Sequence, residues 1–195
     1  MIVALLSILS ASAAAGMRIA LPLLIIGFLQ SERLWSDVPI LASIEPPVVI
    51  SILTSWSLFE LIGSKKLLGQ RVLQVVQLLC SPVVGSIISI AVAKLTHVEI
   101  GPIWLIGLVG GLFAFLLQLV LVGWFFRLRG LPIWVVLIED TLCIFLVLFA
   151  FNAPQEGGLI AMLLLWLAVR SSQHWQQWYR ESRRLALKPS GLNYD

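Results

Sequence analysis

Six runs of apolar residues, of which the third and sixth are short, dominate this chain of 195 residues. A helix of about 20 apolar residues matches the hydrocarbon core of a bilayer. Hydrophobic residues make up 59% of the chain and charged residues 12%, whereas an average soluble domain is roughly half apolar and a quarter charged. The sequence therefore predicts an all-α polytopic transmembrane helix bundle of about six spans. The runs cover 2–29, 46–62, 78–93, 103–126, 132–151 and 158–169.

The basic residues predict how these spans are oriented. Of the 13 Lys and Arg residues, Arg18 lies inside the first run. If the N-terminus is cytoplasmic, ten of the other twelve face the cytoplasm, and Arg33 and Lys94 lie outside. Because cytoplasmic loops are enriched in Lys and Arg, we expect both termini in the cytoplasm. The domain prediction is a transmembrane domain over 1–175 and a basic cytoplasmic tail over 176–195. Two inverted three-span halves fit this topology.

The segment 65–79 has two interpretations. Its apolar residues recur at helical spacing, and Gln70, Gln74 and Gln77 lie elsewhere on the same helix. That pattern predicts a short interfacial helix near 65–78. The alternative is the polar start of the third span.

Four charged residues fall within the apolar runs: Arg18, Glu60, Glu139 and Asp140. A charge at the centre of a bilayer costs about 2.5–3.5 kcal/mol on insertion scales, so these residues predict an intramembrane polar site that binds an ion or a polar group. The alternative is structural pairing, which for Glu60 would be a salt bridge to Lys65 or Lys66.

We expect Arg18 to point into the bundle within reach of an acid, either Glu139 or Asp140. Of these two, we expect Glu139 to face the bundle and Asp140 to reach a polar neighbour such as Thr141. Gly16 and Pro22 predict a break in the helix near Arg18, because proline removes one hydrogen bond.

Small residues at a spacing of four predict close helix packing. Gly107 and Gly111 form one such pair, and Ser12 and Gly16 form another. These pairs serve either packing within the chain or a dimer face.

Motifs for catalysis are missing from the sequence. It has no HExxH, no GxSxG, no phosphate-binding glycine loop and no cysteine pair at CxxC spacing. We expect no enzymatic activity, no cofactor, no metal site and no binding of nucleic acid. The expected partners are the lipid bilayer and either further copies of this chain or a larger membrane complex.

Four segments resemble blocks of a known family. They read SAAAGMRIALPLL, FELIGSKK, PVVGSIIS and LPIWVVLIEDTLCIF, and the resemblance extends from Ser10 to Phe151. The family is an uncharacterised one of small bacterial, notably cyanobacterial, polytopic membrane proteins, known as a domain of unknown function. The resemblance implies a bacterial inner or thylakoid membrane.

It also implies that Glu60, Glu139 and Asp140 match recurring acids of the family. Two positions depart from the pattern, since an uncharged residue is common where Arg18 stands and an acid is common where Ser64 stands.

Two functions remain open at this point. The charges within the apolar runs favour a small transporter or channel-like protein. The glycine faces and the aromatic residues near the C-terminus favour a structural or assembly partner of a larger membrane complex.

Overall fold

The computed structural model describes residues 2–29, 38, 43–63, 67–96, 102–128 and 133–186, without the side chains of 61, 67, 68, 127, 128, 133 and 171–186. The described ranges contain seven helices and no strand, which confirms the all-α prediction. The helices are α1 (Ile2–Met17), α2 (Ala20–Leu29), α3 (Pro46–Gly63), α4 (Leu67–Leu95), α5 (Ile103–Leu128), α6 (Ile133–Asn152) and α7 (Pro154–Ala186). The last of these crosses position 175, the predicted boundary of the tail.

Helix α1 lies at the centre of the bundle and packs against α4, α5, α6 and α7. Every residue from Ser10 to Met17 is buried, and most of them are Ala, Ser or Gly. These small side chains let the four neighbouring helices pack closely against α1. Close packing stabilises the bundle, because the hydrophobic effect contributes little to helix association in lipid.

The predicted break near Arg18 is confirmed. Helix α1 ends at Met17, helix α2 begins at Ala20, and the N–H of Arg18 makes the last bond of α1 to Ala14. Pro22 explains the position, because a proline ring clashes with the carbonyl four residues earlier and offers it no N–H. That carbonyl belongs to Arg18. Pro22 itself lies in the first turn of α2, where a missing N–H costs nothing.

Helix α4 is continuous from Leu67 to Leu95, with Pro82 inside it. The structure thus corrects the prediction of a separate interfacial helix near 65–78, and the segment is the first part of a long helix. The reason is the direction in which three glutamine side chains of this segment point. Gln70, Gln74 and Gln77 are buried, so the polar side of this segment faces the bundle rather than lipid headgroups.

Contacts along α1 fix the relative directions of the helices. Moving toward the C-terminus of α1, residues 10, 14 and 18 meet Leu146, Cys143 and Asp140 of α6 in descending order. Helices α1 and α6 are therefore antiparallel.

The same reasoning applies to the other neighbours of α1. Ser12 meets Ser89 of α4, while Arg18 lines a cavity with residues 70–77 near the start of α4, so these helices are antiparallel too. Gly16 packs near Ala114, and Ser12 lies near Gly110, so α1 and α5 are parallel. In six alternating spans, the first span would run parallel to α4 and α6. The observed directions depart from that alternation.

The outer surface of the bundle is apolar. Trp104, Trp134 and Leu159 are each more than 60% exposed, as is typical of side chains that face lipid rather than water. Among the described residues, three segments are long and apolar enough to cross a membrane: Gly69–Leu95, Ile103–Phe126 and Trp134–Asn152. Helices α1 and α2 are shorter apolar helices. The chain thus has the character of an integral membrane protein.

Candidate functional site

Arg18 occupies the break between α1 and α2 and points into the bundle. Its side chain is 6% exposed, and its Nε donates a hydrogen bond of 2.5 Å to Oδ1 of Asp140 on α6. This confirms that Arg18 reaches an acid inside the bundle. Glu139 faces the bundle, as expected, but the expectation for Asp140 was wrong, because Asp140 rather than Glu139 makes the hydrogen-bonded ion pair. Thr141 donates to the carbonyl of Leu137 instead.

Glu139 is buried beside the same arginine, and their charges interact. Both residues border a cavity of about 20 Å³. A volume of this size holds about one water. The cavity is lined by Arg18, Gln70, Leu73, Gln74, Gln77, Val136 and Glu139.

Glu60 lies near the end of α3 and interacts with the same arginine. It is 3% exposed, and its Oε1 accepts hydrogen bonds from Nε1 of Trp56 at 2.9 Å and from Nε2 of Gln77 at 3.2 Å. Its charge also interacts with those of Arg18 and Asp140. The alternative partners suggested by the sequence, Lys65 and Lys66, lie outside the described residues.

Four buried glutamines lie beside these charged residues. They were not identified as site residues from the sequence. Gln70, Gln74 and Gln77 lie on one face of α4, and Gln118 faces them from α5. Nε2 of Gln118 donates to Oε1 of Gln74 at 3.3 Å and to Oε1 of Gln77 at 3.4 Å. The spacing of four and three residues on α4 was the available signal, since it predicts one polar helix face.

The charge balance of the cluster decides what it can do. One arginine faces three carboxyl groups, and all four residues interact electrostatically. A single guanidinium neutralises one carboxylate, so the remaining negative charge needs a proton or a cation. Buried charge without compensation is costly in a bilayer. The arrangement is therefore chemically suited to take up a proton, since the described carboxyl groups are not arranged to hold a metal ion.

The predicted packing residues lie at helix contacts within the chain. Gly107 and Gly111 of α5 pack against α4, where added Cβ atoms would meet Ile90 and Ser86 respectively. Gly16 packs against the backbone of Ala114. The hydroxyls of Ser12 and Ser89 lie 2.8 Å apart and share a hydrogen bond. These residues are separate from the four charged residues Arg18, Glu60, Glu139 and Asp140.

Metal ligands do not gather in the part of the chain that the structure describes. No group of three or more His, Cys, Asp or Glu residues there is arranged to hold a metal ion. Cys143 is fully buried, and its Sγ lies 3.5 Å from the carbonyl of Ala14.

Comparisons with known proteins give one match. A family model described as Domain of unknown function (DUF4126) matches residues 5–174. No curated protein and no solved structure matches the chain.

Proposed function

The chain belongs to the DUF4126 family, a domain of unknown function, and from its geometry we propose that it is a small membrane transporter driven by a proton or a cation, rather than an enzyme. The site is the charge cluster, which we define as Arg18, Glu60, Glu139 and Asp140.

The proposal depends on one observation: the charge cluster places three carboxyl groups and only one arginine in the interior of the bundle. A purely structural ion pair needs one acid for one arginine, as Arg18 and Asp140 provide. Glu60 and Glu139 are additional, and both are buried, at 3% and 9% exposure. Because each unneutralised charge is costly in lipid, two further carboxyls are explained better by reversible uptake of a positive charge than by packing.

The helix directions support an amended topology with five crossings, made by α1, α4, α5, α6 and α7. Since α1 and α4 are antiparallel, the chain between them must begin and end on one side of the membrane. Helix α2, with ten residues and about 15 Å, is too short to cross a core of about 30 Å. Because α2 cannot cross the membrane, α3 cannot cross it completely either. Both helices then lie between α1 and α4 without spanning the membrane.

The distribution of basic residues agrees with five crossings. The side on which α4 begins would carry eleven of the twelve Lys and Arg residues other than Arg18, and Lys94 would be alone on the other side. By the positive-inside rule, the first side is the cytoplasm. We therefore place the C-terminus in the cytoplasm, the N-terminus outside, and the charge cluster in the cytoplasmic half.

Flux through reconstituted protein tests the proposal. Purified protein is placed in liposomes, and internal pH, Na⁺ and K⁺ are followed by dyes after a gradient of each ion is imposed. We expect the protein to dissipate one of these gradients, and Glu139→Gln to abolish that flux while the protein still assembles. Thr141→Ala is a matched control on the same helix, because this side chain is exposed and bonded to its own backbone.

A second candidate function is a structural or assembly partner of a larger membrane complex. The ion pair of Arg18 with Asp140, which joins α1 to α6, supports it. Under this alternative, the liposomes show no flux of any ion, and Glu139→Gln lowers stability or prevents co-purification with the larger complex.

A further inference from the structure

Polar residues continue along α4 beyond the charge cluster. Gln70, Gln74, Gln77 and Ser81 follow one another at spacings of four, three and four residues, and all are buried. We call this set the α4 stripe. Residues at these spacings lie on one helix face, and the stripe extends about 17 Å by helix rise. It begins at the cavity beside Glu139 and leads toward the middle of the bundle.

Two buried oxygens on or beside the stripe lack partners. Among the described residues, Oγ of Ser81 and Oε1 of Gln118 are buried side-chain atoms without a hydrogen-bond partner. Both residues are 1% exposed. An unsatisfied buried polar group costs about 1–3 kcal/mol, so such groups mark places where water or a ligand binds. Because Ser81 and Gln118 lie on the neighbouring helices α4 and α5, their free oxygens indicate that water binds between these two helices.

Water suits these oxygens better than a metal cation does. A bound cation needs several oxygen ligands at once, as hard cations in proteins show. Here Oε1 of Gln74 and Oε1 of Gln77 each accept a hydrogen bond from Gln118, so among the described residues the buried side-chain oxygens without any partner are Oγ of Ser81 and Oε1 of Gln118. A water molecule needs two to four polar partners, and the cavity at the start of the stripe has room for about one.

We infer that the proton is the ion that drives the proposed transporter, and that it moves between the charge cluster and Ser81 through water held by the α4 stripe. This inference rests on the proposed function. A proton enters one end of a chain of hydrogen-bonded waters and another leaves at the far end, so the amides and hydroxyls only hold the waters and are themselves unchanged. The carboxyl of Glu139 accepts or releases the proton at the cytoplasmic end.

A layer of small residues closes the path beyond Ser81. Gly85 of α4 packs so closely on α5 that an added Cβ would lie 2.5 Å from Cβ of Ala114 and 2.9 Å from the carbonyl oxygen of Gly110. Past this layer, the hydroxyls of Ser89 and Ser12 bond to each other. The cavity at the start of the stripe reaches Gln77, one helical turn before Ser81, and the tight contact at Gly85 closes the bundle beyond Ser81.

Ser81→Ala separates this role from a structural one. Removing an unsatisfied buried hydroxyl leaves stability unchanged or raised, so a structural role predicts a normal protein. The path predicts that proton flux in liposomes falls about ten-fold or more, because the water at Ser81 loses the hydroxyl that holds it and with it about one hydrogen bond. Ser86→Ala is the control, since Ser86 lies on the same helix and donates to the carbonyl of Pro82. It should keep full flux.

The outcomes distinguish the two proposals. If Glu139→Gln abolishes flux but Ser81→Ala conducts like the wild type, the path is overturned and the transporter stands. The same holds if Na⁺ or K⁺, and not the proton, carries the flux. If the wild-type protein conducts no ion, both proposals fail. Should Ser81→Ala fail to fold, Gln118→Met repeats the test. It removes the second free oxygen at similar volume together with the amide that donates to Gln74 and Gln77, so its proton flux is compared only after normal folding is shown.

Discussion

Arg18 and Asp140 are separated by 122 positions in the chain, and a hydrogen bond of 2.5 Å between Nε and Oδ1 joins them. Arg18 is placed by the break that Pro22 imposes between α1 and α2, and Asp140 lies two turns into α6. The ion pair therefore joins the central helix to a peripheral one at the point where the central helix is interrupted.

Removing the arginine should destabilise the bundle more than removing its partner. Arg18→Gln leaves Asp140 and the two buried glutamates without a cation, and breaking a buried pair in this way costs about 3–5 kcal/mol. Asp140→Asn should cost less, because Glu139 and Glu60 still face the guanidinium. Unfolding in detergent or nanodiscs measures both, and the double variant gives the coupling energy. Additive effects in the double variant would contradict a direct pair.

Neutralising Glu60 should leave the unfolding temperature unchanged or raise it. Glu60→Gln keeps a carbonyl oxygen that accepts from Trp56 and Gln77, and it removes one charge from an excess of acid. Trp56→Phe is the matched comparison, because it removes a donor and should cost about 1.5–3 kcal/mol if the acceptor is charged. A lower unfolding temperature for Glu60→Gln would show that its negative charge is needed for the fold.

Reporter fusions should place the two termini on opposite sides of the membrane. A reporter active only in the cytoplasm should work after Asp195 and within 30–45, and should be silent at the N-terminus. The physical reason is the antiparallel arrangement of α1 and α4. Six alternating spans predict the reverse at the N-terminus and within 30–45, with the same result after Asp195, so the two topologies differ at two positions.

A methyl group added at Gly85 should destabilise the contact between α4 and α5. Gly85→Ala places Cβ against Ala114 and the backbone of Gly110, and overpacking of this kind costs about 1–3 kcal/mol. Thermal unfolding measures the loss. Val83→Ile adds one methyl on the exposed side of the same helix, where Val83 is 57% exposed, and should be nearly neutral. Equal effects of both changes would mean that helix contact at Gly85 is not tight.

The glutamines show where reasoning from the sequence reached its limit. The polar face of α4 could be recognised from the spacing of Gln70, Gln74 and Gln77, but the spacing is the same whether that face meets headgroups or a neighbouring helix. Gln118 decides between them, since its amide bonds to two of the three. That residue is more than 40 positions away, and a single polar side chain within the apolar run 103–126 carries no periodic signal.

The sequence by itself determined the properties that depend on composition or on residues close in the chain. Apolar runs required helices, because a helix satisfies its own backbone in lipid, and Pro22 set the break at Arg18 through a clash with one carbonyl. The cost of an unpaired charge required Arg18 to find an acid. Tertiary structure decided which acid, since adjacent residues on a helix point about 100° apart and the rotation of α6 selected Asp140. It also decided the direction of α1 relative to α4, because helix contacts between distant segments, not local sequence, determine how the spans are arranged.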